Sequence, residues 1–101
     1  MSRLELRVLR RAAGQIIAAL WWQSNRQPAR DALKEDLRAA LELIRIDPLI
    51  GSRWLAARHR AVRRLYLGRV RYHLYYRLSP DGSAVEVLAF WHQNRSTDPP
   101  I

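Results

Sequence analysis

The chain has 101 residues, 49% hydrophobic and 27% charged, with no cysteine. That suits one small domain with a modest core and excludes disulfides and thiolate metal sites. The net charge is +9 and Lys34 is the only lysine, so the excess is arginine, whose planar fork suits phosphates and carboxylates. A nucleic acid or an acidic protein is the partner this bias favours, although an inert basic surface has the same composition. No apolar run approaches the length of a membrane span. The N-terminal MSRLELRVLRR mixes charges into its apolar residues, unlike a signal peptide. The expectation is a cytoplasmic protein of one domain, residues 1–101, with 92–101 as a polar C-terminal tail.

RLELRV at 3–8 alternates polar and apolar residues, a short strand pattern. The period then changes. Ala13, Ile16, Ile17, Leu20 and Trp21 recur at helical spacing over 10–24, and Asn25 suits a left-handed stop. Trp21 continues this stripe with Ile17, whereas Trp22, about 100° further round, falls at its flank. It either covers the hairpin or meets a partner. A second helix is expected from Pro28, favourable in a first turn. Its apolar stripe is Leu33, Leu37, Ala40, Leu41 and Ile44. Glu35, Arg38 and Glu42 sit at supportive spacing on its outer face. It should end before Pro48. The short link makes the two helices an antiparallel hairpin.

Residues 51–61 read as a basic connector without period. Three strands follow. In VRRLYLGRVRYHLYYRL (62–78), Gly68 and Arg69 fit a two-residue turn. This places Leu67 opposite Val70, Leu65 opposite Tyr72 and Arg63 opposite Leu74. One face then carries Leu65, Leu67, Val70, Tyr72, Leu74, Tyr76 and Leu78, with Arg63 at its margin. The other carries Arg64, Tyr66, Arg71, His73, Tyr75 and Arg77. SPDG at 79–82 is a second turn. AVEVLAFW (84–91) is apolar on both faces and therefore interior. The order gives an α+β domain, βααβββ, with a helical hairpin on one face of a mainly antiparallel sheet.

The basic aromatic face fits phosphate binding and base stacking. It also fits the wet side of a half-buried sheet. Eight arginines and no acid lie between residues 53 and 77, including Arg53, Arg58, Arg60, Arg63 and Arg64; a merely solvated face usually carries both signs. His92 follows the last strand and could act with His73 and the arginines in RNA cleavage, or be structural. A three-residue loop with a glycine bulge puts His92 on the helix side, and one extra loop residue puts it on the basic side. Glu86 could pair with an arginine or serve as a base. His59, His73 and His92 lack metal-ligand spacing, so no metal is expected, nor any other cofactor.

The segments AALWWQSNRQPARDAL, LELIRIDPLIGS, VRRLYLGRVRYHLYYRL and VEVLAFWHQNRSTDP, in this order, resemble the RelE/ParE superfamily of type II toxin–antitoxin toxins, also described as plasmid stabilisation proteins. The resemblance implies the βααβββ fold and a cognate antitoxin whose C-terminal segment wraps helix and sheet surfaces, giving a hetero-oligomer. RelE-like members cleave mRNA on the ribosome; ParE-like members inhibit DNA gyrase. The ending HQNRSTDP and the absence of a tyrosine after the last strand resemble the ParE side. A gyrase inhibitor would use Arg64, Tyr66, Arg71, His73, Tyr75, Arg77, His92 and Arg95 against its target. An endoribonuclease, the alternative, would use His92 as acid/base with Arg64, Arg71 and Arg77. Trp22 and Arg63 are the expected antitoxin contacts.

Overall fold

The computed structural model describes residues 3–56 and 61–101; Arg58, His59 and Arg60 of the basic connector lie outside the described residues. The elements are β1 (Glu5–Val8), α1 (Arg10–Trp22), α2 (Gln27–Ile46), β2 (Ser52–Arg53), β3 (Arg63–Leu67), β4 (Tyr72–Leu78) and β5 (Ala84–His92). They form a five-stranded sheet in the order β1-β5-β4-β3-β2. β1 runs parallel to β5 and the other pairings are antiparallel. The expected fold is present, with β2 added at the edge of a stretch read as aperiodic. Two residues are too few to show a period, and β2 exists because Ser52 and Arg53 pair with Arg64 and Arg63.

α2 follows the sequence closely. Pro28 lies in its first turn, and the chain leaves the helix at Asp47, whose N–H donates to Leu43 O, just before Pro48. Leu33, Leu37, Ala40 and Ile44 are buried. The outer carboxylates reach beyond the helix: Glu35 and Asp36 take Arg69, and Glu42 takes Arg3 as well as Arg45 of α2 itself.

α1 turns a different face inward. Ala12 and Ala19 are buried, with Ile16 and Leu20 partly buried against the core. Ile17 and Trp21 point to solvent, and Trp21 is 76% exposed. Both stripes are apolar at helical spacing. The one that wins carries alanines, which let the helix lie close to β5. Past the end of β1, α1 also supplies Gln15 Oε1 to the Phe90 N–H at 2.8 Å. α1 ends at Trp22, and Asn25 does not take the left-handed conformation.

The main core lies between the helices and the sheet. Leu33, Ile44, Leu74, Tyr76, Val85 and Val87 are at or near zero exposure. Each such burial contributes roughly 1.5–3 kcal/mol before entropy is counted. Tyr72 and Phe90 stack there at 4.4 Å. A smaller cluster sits on the opposite face: Val62, Tyr75, Leu88 and Ala89, with Trp54, Trp91 and Ile101 against it.

The β3–β4 hairpin is wider than expected. Leu67 pairs with Tyr72, Leu65 with Leu74 and Arg63 with Tyr76. The loop therefore holds residues 68–71, closed by the Arg71 N–H on Leu67 O at 2.8 Å. Arg71 ends it at φ 62°, a strained conformation for a non-glycine residue. The pairing differs from the expected one by two residues on β4, so each strand residue keeps its face. Arg71 is the exception: it leaves the strand and caps the turn. Arg69 closes the hairpin onto α2, donating to Asp36, Glu35 and Ala32 O.

Candidate target-binding face

β3, β4 and β5 present one face to the helices and the other away from them. On the outer face Arg64 pairs with Tyr75, and Tyr66 with His73. His73 in turn pairs with Trp91. Tyr66, His73 and Trp91 thus form one row of rings across three strands. The Tyr66 and His73 rings lie 4.7 Å apart at 34°. The Tyr66 hydroxyl donates to Gln93 Oε1, and Trp91 Nε1 donates to Thr97 O at 2.7 Å.

Two guanidinium groups stack on this aromatic surface. Arg64 lies 4.7 Å from the centre of Trp54 and Arg95 lies 4.0 Å from that of Trp91. Neither makes an ion pair among the described residues. Such stacking holds the charge while leaving the edge N–H groups for an anion. His73 is partly buried, and burial, then the Arg64 charge, lowers its pKa from 6.5. Its ring is therefore neutral at pH 7.

The other expected residues separate. Tyr75 is on this face but only 2% exposed, because Trp54 meets it edge-on at 5.3 Å and Ile101 packs on the same cluster. Arg77 donates to Glu86 Oε1 at 2.7 Å, so Glu86 acts as a pairing residue. Arg71 sits in the turn, where its carbonyl accepts the Gln93 N–H at 2.8 Å. Arg63 donates to the Leu49 and Gly51 carbonyls, holding the α2–β2 loop.

His92 lies on the helix-facing side, by a route that combines both possibilities. The 79–83 loop is long enough to put Val85, opposite Leu78, on the core face. A bulge then places Tyr75 opposite Ala89 and Tyr76 opposite Val87, with Leu88 unpaired between them. The extra residue reverses the alternation. Phe90 and His92 consequently face the core, and Trp91 faces outward. His92 meets Tyr72 edge-on at 4.8 Å, and its Nδ1 accepts the Asn94 N–H at 3.0 Å. The nuclease set of His92, Arg64, Arg71 and Arg77 is therefore divided between two faces and a turn. The row's third member, Trp91, escaped the sequence reading because its direction depends on that bulge.

Away from this face, Ile17, Trp21 and Trp22 leave an apolar strip on α1; Trp22 is 81% exposed. Ile17, Leu20, Trp21, Ser24 and Arg30 line a cavity of about 280 Å³. A second, of about 350 Å³, lies between β1 and the helices, lined by Leu6, Leu20, Leu37 and Leu41 with Lys34, Arg38 and Glu42. Among the described residues no group of acids and histidines could hold a metal ion, and no helix is long and apolar enough to cross a membrane.

A helical hairpin on a mostly antiparallel sheet also occurs in a solved chain described as belonging to a chromosomal ParDE TA system from P. aeruginosa. It aligns with a TM-score of 0.69 and 18% identity, over 89% of this chain and 96% of that one. That likeness defines the fold class. Residues 6–97 match the family model described as the ParE toxin of the type II toxin-antitoxin system, parDE, and the chain belongs to that family. Its partner is accordingly an antitoxin. No curated protein matches.

Proposed function

We propose that this chain arrests growth by inhibiting DNA gyrase and is released from that role by its cognate antitoxin. The observation that carries the reading is membership of the ParE toxin family over residues 6–97. The division of the nuclease set supports it, since a general acid must reach the same phosphate as the charges that stabilise it, and His92 faces away from Arg64. The target surface is the outer sheet face, with Arg64, Tyr66, His73 and Arg95 exposed or half-buried and unpaired with any acid among the described residues. The antitoxin surface is the strip of Ile17, Trp21 and Trp22. A contiguous apolar patch on a small soluble domain marks an interaction site.

Induction of the chain without antitoxin should cause loss of reporter-plasmid supercoiling or DNA breaks, with mRNA 5′ ends unchanged. Codon-phased mRNA cuts with normal supercoiling would overturn the proposal in favour of a ribosome-dependent nuclease. Arg64→Ala and Arg95→Ala together should relieve toxicity without loss of antitoxin binding.

A further inference from the structure

Leu20 lines both cavities beside α1, the one at Trp21 and the one next to β1, so the two adjoin as one groove along the helices. Its floor is apolar: Ile17, Leu20, Leu37 and Leu41. Its α2 wall is cationic, because Arg30, Lys34 and Arg38 line it at every fourth residue. A rise of about 1.5 Å per residue sets them about 6 Å apart on one side of α2. None of the three makes an ion pair among the described residues, whereas the acids of α2 are engaged. Gln27 donates to Asp31, Arg69 holds Glu35 and Asp36, and Arg3 and Arg45 hold Glu42. Arg30 differs further from its neighbours. Its Nε is buried with no hydrogen-bond partner, in a cavity with no acid in its lining. It also lies near the N-terminus of α2, where the helix dipole disfavours a cation, so the helix gains nothing from that charge.

On the antitoxin reading of the adjoining strip, we propose that this groove takes an amphipathic acidic helix of the antitoxin, and that Arg30, Lys34 and Arg38 select it by pairing with carboxylates at every fourth position. Cations about 6 Å apart match every fourth residue of a helix laid along α2. The Trp21 end of the groove is walled by two helices and the turn between them. These offer no strand edge, so an extended segment would leave its backbone unpaired there, whereas a helix pairs its own. A nucleic acid would use the cations and leave the apolar floor wet. A second copy of this chain does not offer the pattern on its α2, whose acids are already engaged. Arg30 is the anchor, because its guanidinium is the one partly desolvated. Lys34 and Arg38 are exposed and set the register.

The test uses three synthetic peptides of about 18 residues, long enough to hold a helix. One carries leucines on one face and glutamates at every fourth position beside them. Its isomer has the glutamates moved to the face opposite the leucines. The third has lysines in place of the glutamates. Binding to the full chain is read by fluorescence anisotropy. The first peptide should bind, and the isomer about tenfold more weakly. Arg30→Met should cost about tenfold or more, as loss of a desolvated charge does. It should leave the Tm of the free chain unchanged or raised, since Arg30 has no partner to lose. Lys34→Glu with Arg38→Glu should shift the preference toward the lysine peptide. Arg53→Ala, exposed on β2, removes the same charge elsewhere and should change affinity less than about threefold. Equal binding of the isomer, an unchanged preference in the charge-reversed chain, an Arg30→Met chain that loses Tm but no affinity, an Arg53→Ala loss matching that of Arg30→Met, or displacement by duplex DNA as readily as by unlabelled peptide would each overturn the proposal. Calorimetry with the antitoxin itself separates these cations from the strip. If Trp21→Ser with Trp22→Ser weakens binding and Lys34→Glu with Arg38→Glu does not, the cationic wall is refuted and the strip stands. The opposite result refutes the strip and upholds the wall.

Discussion

Replacing Gly51 with alanine tests how the α2–β2 loop is held. A Cβ there would lie 2.8 Å from the Tyr76 hydroxyl, 2.9 Å from the Arg64 carbonyl oxygen and 3.0 Å from Tyr76 Cε1. None of these groups yields easily. Tyr76 is fully buried, its hydroxyl accepts the Gly51 N–H at 2.8 Å, and the Arg64 carbonyl belongs to β3. The Gly51 carbonyl is itself held by Arg63 at 2.7 Å. A methyl group must therefore push the loop away. Overpacking of this kind costs about 1–3 kcal/mol, and a buried hydrogen bond left half-made costs about 1–3 kcal/mol more. Reduced freedom of the unfolded chain returns about 0.4–1 kcal/mol. The net loss is about 1–6 kcal/mol, or at least several degrees in Tm for a domain of this size. Urea unfolding followed by tryptophan fluorescence measures it. Tyr76→Phe alone should cost about 1–3 kcal/mol by stranding the Gly51 N–H. The double variant should cost less than the sum, because both changes break one contact. A Gly51→Ala protein within about 0.5 kcal/mol of the parent would refute the reasoning.

Arg71→Gly should leave Tm unchanged or raise it, relieving about 1 kcal/mol of left-handed strain; a drop in Tm would show that the Arg71 side chain holds the turn. Arg69→Ala should lower Tm and speed amide exchange in the 68–71 loop, since it removes the link between the hairpin and Asp36 and Glu35. Asp81 accepts from the Ser79 hydroxyl and from the N–H and hydroxyl of Ser83, which lower its pKa from 3.8 to about 2. Its contribution is therefore full above pH 4 and lost as pH falls toward 2; Asp81→Asn should flatten that part of the stability–pH curve, read by thermal unfolding at stepped pH. Trp21→Ser with Trp22→Ser should change stability by less than about 0.5 kcal/mol, as surface substitutions do, while weakening antitoxin binding at least tenfold by calorimetry.

The element order and the two-faced hairpin were legible in the sequence because they rest on period. An error of two residues in pairing leaves a period of two intact. That is why Leu65, Leu67, Tyr72, Leu74 and Tyr76 face the core under either turn. Arg71 was misplaced because Gly68 suggests a two-residue turn, whereas the left-handed position that closes the four-residue loop is taken by Arg71 and not by a glycine. α1 was misread for another reason. Ile16 and Leu20 of the expected stripe do rest on the core, but beside them the helix–sheet distance admits Ala12 and Ala19 and not the larger Ile17 and Trp21. The bulge at Leu88 is invisible to periodicity in a strand apolar on both sides. Its effect reaches the site: it turns Trp91 outward and His92 inward. Contacts from distant chain, such as Ile101 and Trp54 over Tyr75, could not be read locally at all.

The parallel pairing of β1 with β5 has a consequence for how the molecule comes into being. A chain emerging from the ribosome delivers β1, α1 and α2 first, but the strand against which β1 and α1 rest arrives after residue 83. Until then Leu6, Ile16 and Leu20 have no sheet to cover, and the outer face does not exist, because β4 is unpaired on one side. Sequence-distant pairing of this kind makes closure late and slow relative to local helix formation. A ribosome-bound fragment therefore lacks the outer face, although Ile17, Trp21 and Trp22 of the α1 strip have already been made. On the proposed reading, an antitoxin that seats on that strip meets its residues before the outer face has formed.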